Sequence, residues 1–193
     1  MYKINDSLIE QKQKKRKSDF RFIVVLAFIA LIMAMIATLN TYVFFNVVVD
    51  GSSMRPTLSS GDVLVANRQA GYERGSIVVI GGVKEYWLIK RVIAVEGDNV
   101  EIKEGRVYIN GNELDEPYLS SSAYTDELDW ETCTLGEDEI FYLGDNRTNS
   151  SDSRSYGVCK ERNIVGVVEG WSLSIRGLNK IIYDIGKFFR GGK

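Results

Sequence analysis

The chain has 193 residues, of which 45% are hydrophobic, and this suits one globular domain with room for a terminal appendage. Its net charge of −2 is unevenly distributed, because the first 21 residues carry seven Lys/Arg against three Asp/Glu and the remainder carries 17 against 23. The sequence contains no histidine, which excludes Ser-His-Asp and Cys-His catalytic sites and argues against a catalytic zinc ion.

A long apolar run follows the basic N-terminal segment. Residues 22–39 carry no charge, and a helix of this length spans about 27 Å, close to the ~30 Å hydrocarbon core of a bilayer. We therefore predict one transmembrane helix over residues 22–45. A cleavable signal peptide would have a shorter apolar region, and a helix buried in a soluble domain is rarely apolar on every face. The basic residues could instead bind nucleic acid. The apolar run beside them favours a lipid bilayer as the partner, and we expect no nucleic-acid partner.

The charges that flank the apolar run predict its orientation. Residues 1–21 have a net charge of +4, whereas residues 50–69 carry two Asp and two Arg. Because cation-rich flanks stay in the cytoplasm, we expect a basic cytoplasmic segment at residues 1–21 and an extracytoplasmic domain at residues 46–193. The protein would then be a single-pass protein of the plasma membrane.

Beyond the apolar run the pattern changes to short strands. Segments rich in Val, Ile and Tyr alternate with Gly, Asn and Asp, which is typical of a mostly β domain. Residues 100–110 predict a hairpin whose turn lies at 103–105. The predicted strands lie at residues 62–67, 76–82, 86–97, 99–114 and 139–145.

Two segments depart from the strand pattern. Residues 115–138 are acidic and rich in Ser and Thr, which predicts a long loop or insertion. The tail after Trp171 predicts an amphipathic helix, which could pack on the sheet or lie on a membrane surface. Its apolar positions are Leu178, Ile181, Ile182, Ile185, Phe188 and Phe189, and its basic ones are Lys180, Lys187, Arg190 and Lys193.

The two cysteines, Cys133 and Cys159, lack CxxC spacing, so they indicate neither a metal site nor thioredoxin-like chemistry. In an extracytoplasmic domain they could form one disulfide, and they could equally remain two buried thiols. No metal ion or cofactor is expected.

A serine nucleophile needs a base, and without histidine lysine is the leading candidate. Lysine can act in this way when burial lowers its pKa from ~10.4 towards ~7–8. Strand alternation places Lys90 among apolar neighbours and Arg91 on the opposite face. The alternative is a lysine that extends its amine to water. The neighbours on the Lys90 face are Leu88, Val92 and Ala94.

Ser53 is the serine best placed for attack. It follows Gly51-Ser52 and precedes Pro56, in a backbone break where a hydroxyl can stand beside free N–H donors. Composition alone also suits an ordinary turn, and Ser52, Ser59 and Ser60 are equally eligible. Residues 144–157 form a dense polar loop that could support such a site.

Four segments, taken in order, resemble the sequence boxes of the type I signal peptidases, the bacterial leader peptidases. GSSMRPTL resembles the nucleophile box, and WLIKRVIAVEGD resembles the lysine box. GDNRTNSSDSR matches the third box at every fixed position, and RGSIVV resembles the remaining one. The resemblance covers residues 20 to about 170.

The resemblance implies a membrane-bound serine endopeptidase with Ser53 as nucleophile and Lys90 as general base. Ser150 would hydrogen-bond to the Lys90 amine and orient it. The substrates would be secretory preproteins, cleaved through an acyl-enzyme after Ala-x-Ala type sites. The supporting residues would be Asp152, Arg154, Asp145 and Arg91, and the apolar pockets would be lined by Val49, Leu58 and Ile89.

Two positions depart from the family's pattern. Gly51 stands where some members have a serine that donates to the oxyanion hole, so the hole would depend on the Ser53 N–H and another backbone donor. Glycine here and a single span are common in the Gram-positive branch. Ser76 replaces an aspartate in the remaining box, which leaves the structural role of that box open.

Other interpretations stay open. A Ser/Lys peptidase could serve a restricted precursor set such as pilins, and a tethered β-domain could be non-catalytic. A self-cleaving repressor would need a DNA-binding domain, for which the 21-residue N-terminal segment is too short. The oligomeric state cannot be inferred from the sequence.

Overall fold

The structure is a computed structural model that describes residues 3–128, 130 and 132–189. The chain divides into two compact units, Met1–Val43 and Phe44–Lys193. The first unit is formed by one 41-residue helix, α1 (Lys3–Val43). Within it, Lys15–Thr38 is long and apolar enough to cross a membrane.

Helix α1 ends two residues before the predicted boundary of the transmembrane segment. Phe44 and Phe45 are extended instead, because their backbones pair with Asn67 and Ala66 of a neighbouring strand. At the other end, residues 1–2 of the predicted basic segment lie outside the described residues, and the helix continues through the rest of that segment.

The second unit is built on two antiparallel sheets, which confirms the prediction of a mostly β fold. The larger sheet has the order β1-β2-β11-β3-β4-β9-β10, and the smaller has the order β7-β6-β5-β8. The strands are β1 (Phe44–Val48), β2 (Val63–Asn67), β3 (Ile77–Ile80), β4 (Leu88–Ala94), β5 (Asn99–Lys103), β6 (Arg106–Ile109), β7 (Asn112–Glu113), β8 (Cys133–Thr134), β9 (Glu139–Leu143), β10 (Cys159–Lys160) and β11 (Ile164–Val168).

Strand β4 lies inside the larger sheet, paired with β3 on one side and β9 on the other. The pairing with β9 shifts register between Val92 and Ala94. Because of this irregularity Ala94 packs in the same apolar cluster as Ile93, whereas Leu88 and Val92 pack in another. The predicted alternation therefore holds through Val92 and is wrong for Ala94.

The predicted hairpin is confirmed, with a two-residue turn between β5 and β6. Lys103 pairs with Arg106, so it belongs to the strand. Glu104 and Gly105 have φ angles of 52° and 79°. Positive φ at both central positions is what the tight type I′ hairpin turn requires.

Both cysteines are free thiols and lie in different sheets, Cys133 on β8 and Cys159 on β10. Burial raises the pKa of the Cys133 thiol, with a further contribution from Glu139. Burial also raises the pKa of Cys159 to about 12. Of the two possibilities left by the sequence, the structure has unpaired, protonated thiols.

Three α-helices and a short 3-10 helix (Glu161–Asn163) lie in the described part of the second unit, and the last α-helix occupies the tail where the sequence predicts a helix. It packs against β2. Arg190 and Lys193, which the sequence assigns to the basic side of this helix, lie outside the described residues. The helices are α2 (Ser153–Tyr156), α3 (Gly170–Ser174) and α4 (Arg176–Phe189).

Candidate active site

The loop between β1 and β2 presents a serine hydroxyl to a buried amine. Ser53 lies in a turn that is held by hydrogen bonds from Arg55 N to Ser52 O at 3.1 Å and from Leu58 N to Met54 O at 2.8 Å. Lys90 of β4 is 3% exposed. Its Nζ donates a hydrogen bond to Ser53 Oγ at 2.7 Å. The structure thus brings together the two residues that the sequence proposes as nucleophile and base.

The surroundings of Lys90 favour the neutral amine. Burial lowers its pKa from 10.5 to about 8, because the interior solvates an ammonium poorly. The carboxylates of Asp152 and Asp145 act in the opposite direction, and the Arg154 guanidinium adds to the lowering. An amine with this pKa is partly deprotonated near neutral pH and can accept a proton.

Both carboxylates near Lys90 are already paired with arginines. Asp145 accepts bonds from Arg91 Nε at 2.9 Å and Arg91 Nη2 at 2.7 Å. Asp152 accepts bonds from Arg154 Nε and Nη2, each at 2.8 Å, and from the Gly144 N–H at 3.0 Å. All four side chains are buried. Because each negative charge is balanced locally, neither carboxylate forms an ion pair with the Lys90 ammonium.

The predicted hydrogen bond from Ser150 to Lys90 is not formed. Ser150 Oγ is buried and has no hydrogen-bond partner among the residues that the structure describes, and Lys90 donates to Ser53 instead. Ser150 packs at Gly144, where an added Cβ would lie 2.3 Å from Ser150 Oγ and 2.5 Å from Ser53 O. Ser150 therefore lies beside the Ser53 backbone, separated from it only by a residue without a side chain.

Two asparagines of the same polar loop hold the serine segment, and the sequence assigns neither of them a role in the site. Asn146 donates from its backbone N to Ser53 O at 2.9 Å and from Nδ2 to Ser52 O at 3.1 Å. Asn149 Nδ2 donates to Ser52 Oγ at 3.1 Å. The neighbouring serines are thereby distinguished, since the Ser52 hydroxyl contacts Asn149 and the Ser53 hydroxyl contacts Lys90.

The acidic 115–138 loop contacts two buried arginines next to the site. Arg147, which is 3% exposed, donates to Gly144 O at 3.1 Å and to Thr125 Oγ1 at 2.8 Å. It also forms an ion pair with Glu116. Tyr118 places its ring 3.9 Å from the Arg91 guanidinium carbon. The 115–138 loop, whose role the sequence leaves open, therefore contacts Arg147 and Arg91, two arginines next to the candidate site.

A groove of about 710 Å³ runs past Ser53 and Lys90. Val49 and Ile89 line it, as the resemblance implies. Leu58, which the resemblance also assigns to the substrate pocket, does not line the groove, because its side chain is fully buried in the apolar cluster beneath the serine loop. Two exposed aromatic side chains, Tyr86 and Trp87, complete the rim.

The backbone N–H of Ser53 is available as a hydrogen-bond donor. Gly51, at φ 96°, donates its N–H to Ser60 Oγ over a long 3.4 Å. The Ser53 N–H has no acceptor within the described part of the chain. Gly51 lines the groove without a side chain, so the space beside the Ser53 hydroxyl stays open.

Comparison with known proteins identifies the class of this fold and site as peptidases. The family described as "Signal peptidase, peptidase S26" matches residues 21–171. Signal peptidase I of Bacillus caldolyticus is 36% identical over 178 residues, 84% of this chain and 93% of its own length. Signal peptidase I S of Bacillus subtilis is 37% identical over 151 residues, 72% of this chain and 80% of its own. The chain belongs to the signal peptidase family, peptidase S26, which confirms the resemblance.

Solved structures are also similar to this chain. The crystal structure of a signal peptidase I from Enterococcus faecalis has 30% sequence identity and a TM-score of 0.45. The match covers 52% of this chain and 98% of that chain.

Replacing Gly144 with alanine should abolish most peptidase activity. The new methyl would collide with Ser53 O and Ser150 Oγ, and displacing reacting groups by about 1 Å can lower rates roughly 100-fold. Gly71→Ala is the matched control, because a Cβ there meets nothing within 4 Å. The measurement is kcat/KM with the thermal unfolding midpoint. Unchanged kcat/KM in Gly144→Ala would contradict the tight packing of the two loops.

Glu116→Gln should destabilise the protein by about 1–3 kcal/mol, because a buried arginine loses its charged partner. The control is Glu113→Gln, whose pair with Arg106 is solvent-exposed, and its effect should stay below about 0.5 kcal/mol. Chemical unfolding in detergent micelles measures both. Equal effects of the two substitutions would show that the Glu116–Arg147 pair does not brace the site.

Proposed function

We propose that this protein is a membrane-bound serine endopeptidase that removes signal peptides from secreted preproteins with a Ser53–Lys90 dyad. The observation that carries the proposal is the 2.7 Å contact between Ser53 Oγ and Lys90 Nζ, made by a lysine whose pKa is lowered to about 8. The substrate class rests on the family and on relatives named signal peptidase I.

The proposed reaction has two halves. The neutral Lys90 amine takes the proton of the Ser53 hydroxyl, and Oγ attacks the carbonyl carbon of the scissile peptide bond. The Lys90 ammonium then gives this proton to the leaving nitrogen, the C–N bond breaks, and an ester joins the substrate acyl group to Ser53. Lys90 next deprotonates a water that attacks the ester. The C–Oγ bond breaks, the product leaves as a carboxylic acid, and the proton returns to Ser53.

The developing oxyanion needs donors. We assign one donor to the Ser53 N–H, which has no acceptor in the described ranges and stands beside the hydroxyl. Gly51 contributes open space rather than a side-chain donor, and its N–H is only weakly held by Ser60 Oγ. A preorganised N–H of this kind stabilises the negative charge that forms in the transition state.

The remaining site residues have supporting roles in this proposal. The Arg91–Asp145 and Arg154–Asp152 pairs fix the polar loop that holds the Ser53 carbonyl. They also balance two carboxylates whose free charges would otherwise raise the pKa of Lys90. The pairs thus keep the base usable near neutral pH.

The groove fits a peptide with small side chains next to the scissile bond. Val49 and Ile89 give it an apolar lining close to Ser53. Apolar walls favour aliphatic side chains over charged ones. The preference for small residues in Ala-x-Ala type sequences rests on the resemblance to the family.

We further propose that α1 crosses the plasma membrane once, with the basic N-terminal segment in the cytoplasm and the β unit outside. The length and apolar composition of Lys15–Thr38 support a span. Strand β1 begins directly after α1 ends, so Ser53 is ten residues from Val43, a chain length of at most about 35 Å. The nucleophile is thereby tethered near the end of the span, where the apolar core of a bound signal peptide would end.

Ser53→Ala and Lys90→Ala should each lower preprotein cleavage at least about 1,000-fold, because nucleophile and base act as one unit. Lys90→Arg should lower cleavage by a similar factor, since a guanidinium stays charged and cannot act as the base. The matched control is Ser59→Ala, which removes an exposed hydroxyl of the same loop. Full activity of Ser53→Ala or Lys90→Ala would reject the dyad. If wild-type protein cleaves pilin-type precursors and no generic preprotein, the dyad survives and the general substrate class does not.

The rate should follow the protonation of Lys90. Its amine acts as a base only when neutral, so kcat/KM should rise with pH through about 8 and then level off. A pH–rate profile for a preprotein or peptide substrate measures the midpoint of this limb. A rate that is flat across this pH range would contradict a lysine base.

A further inference from the structure

The C-terminal helix turns an apolar stripe away from the protein. Three residues face inward: Asn179 is buried, and Tyr183 and Gly186 are half-buried. Taking 100° per residue, the apolar positions span an arc of about 100°, whose centre lies about 120° from this inward face. The stripe consists of Leu178, Ile181, Ile182 and Ile185, each between 52% and 59% exposed.

Hydrogen bonds hold the helix in this orientation. Asn179 Nδ2 donates to O and Oγ of Ser172 at 3.2 and 3.1 Å, and Ser172 Oγ accepts the Val65 N–H at 2.6 Å. Arg176 donates to Thr57 O at 2.7 Å. Turning the stripe inward would break these bonds. The usual arrangement, in which the apolar face of a surface helix packs on the core, is therefore reversed in α4.

The cations of α4 lie on the side of the helix opposite the stripe. At 100° per residue, Arg176, Lys180 and Lys187 lie within about 30° of the direction opposite the centre of the stripe, and a single acidic residue, Asp184, shares the helix with them. A helix with one apolar side and Lys/Arg on the remainder is typical of helices that lie in the headgroup region of anionic bilayers. The exposed apolar surface also extends into the preceding segment, where Trp171 is 50% exposed.

The family match does not account for this helix, since it ends at residue 171. The rest of the chain supplies a reason for a lipid partner. Strand β1 starts at Phe44 without a linker after α1, so a spanning α1 keeps the β unit permanently beside a bilayer. A nearby lipid surface is then the most abundant apolar phase available to cover the stripe.

We propose that α4 docks on the membrane that α1 crosses, with its apolar stripe inserted at the headgroup level and its cations on the opposite side of the helix. This rests on the proposed span of α1 and is independent of the Ser53–Lys90 dyad. The helix contacts the serine loop, because Arg176 binds Thr57 O and lies 3.7 Å from the Asp62 carboxylate. Docking therefore holds the loop that carries Ser53 at the bilayer surface.

The test places an environment-sensitive fluorophore on α4 of the full-length chain in lipid vesicles. Ile182→Cys carries the probe on the stripe, and Asp184→Cys carries it on the exposed polar side. Both variants have Cys133→Ser and Cys159→Ala, which leaves one thiol. Vesicles contain phosphatidylcholine with phosphatidylglycerol, with or without nitroxide-labelled lipid. Flotation of each variant with the vesicles reports separately on α1.

We expect a blue-shifted, nitroxide-quenched probe at 182 and a water-exposed, unquenched probe at 184. Quenching at 182 should persist in pure phosphatidylcholine, because the apolar stripe makes the contact with the bilayer, and loss of quenching there would contradict apolar docking. Water exposure at both positions in floating vesicles overturns the docking proposal. The probe at 182 could instead be shielded from water without being quenched by the labelled lipid. If this shielding disappears when the protein is diluted in lipid, a second copy of the chain covers the stripe, and the docking proposal is overturned. Failure to float rejects the α1 span instead.

A functional arm uses Ile182→Asp with Ile185→Asp, both at exposed positions. This variant should cleave a vesicle-inserted preprotein more slowly than wild type and hydrolyse a short soluble peptide in detergent at the wild-type rate. Equal cleavage of the inserted preprotein by both proteins would contradict a role for α4 in presenting the site to the membrane.

Discussion

The site depends on one contact, the hydrogen bond between the Ser53 hydroxyl and an amine that the fold has removed from water. Lys90 can be buried because β4 has a paired strand on each side and apolar clusters against it. Burial is the largest cause that lowers the pKa of Lys90, the Arg154 guanidinium adds to it, and the carboxylates of Asp152 and Asp145 act in the opposite direction. Arg91 and Arg154 pair with these two carboxylates. The polar loop is thus arranged to leave Lys90 without a counter-ion.

The surrounding structure keeps that contact in place from several directions. Asn146 fixes the backbone of the serine, and Gly144 allows the polar loop to approach it closely. Arg147 ties Gly144 to the acidic loop through Glu116. On the far side, α4 binds the carbonyl of Thr57 in the serine loop. Elements separated by more than 100 residues therefore converge on one short turn, which is why no single segment of sequence specifies it.

Much of this was predictable from local pattern. The hairpin, most long strands and the C-terminal helix follow from periodicity, and Ser53 with Lys90 follows from motif order. Strand β1 was not predicted because its residues are as apolar as the preceding span. After Val92 the side chains of β4 no longer follow the predicted alternation between the two faces of the sheet. The cause is a register shift against β9, which the sequence pattern of β4 does not indicate. Leu58 does not line the groove and Ser150 does not bond to Lys90, because a sequence match gives a neighbourhood and not a side-chain direction. Amphipathicity predicts that α4 is a helix but not that its polar face packs inward.

The central claim is that burial lowers the pKa of Lys90 so that its amine can serve as a base, and the titration of this amine can be observed directly. In protein labelled with ¹³C and ¹⁵N in its lysines, the Lys90 side-chain resonance can be assigned by its loss in Lys90→Arg. The account predicts a midpoint at about 8, well below that of exposed lysines. A Lys90 midpoint at the ordinary value of 10.5 would contradict it.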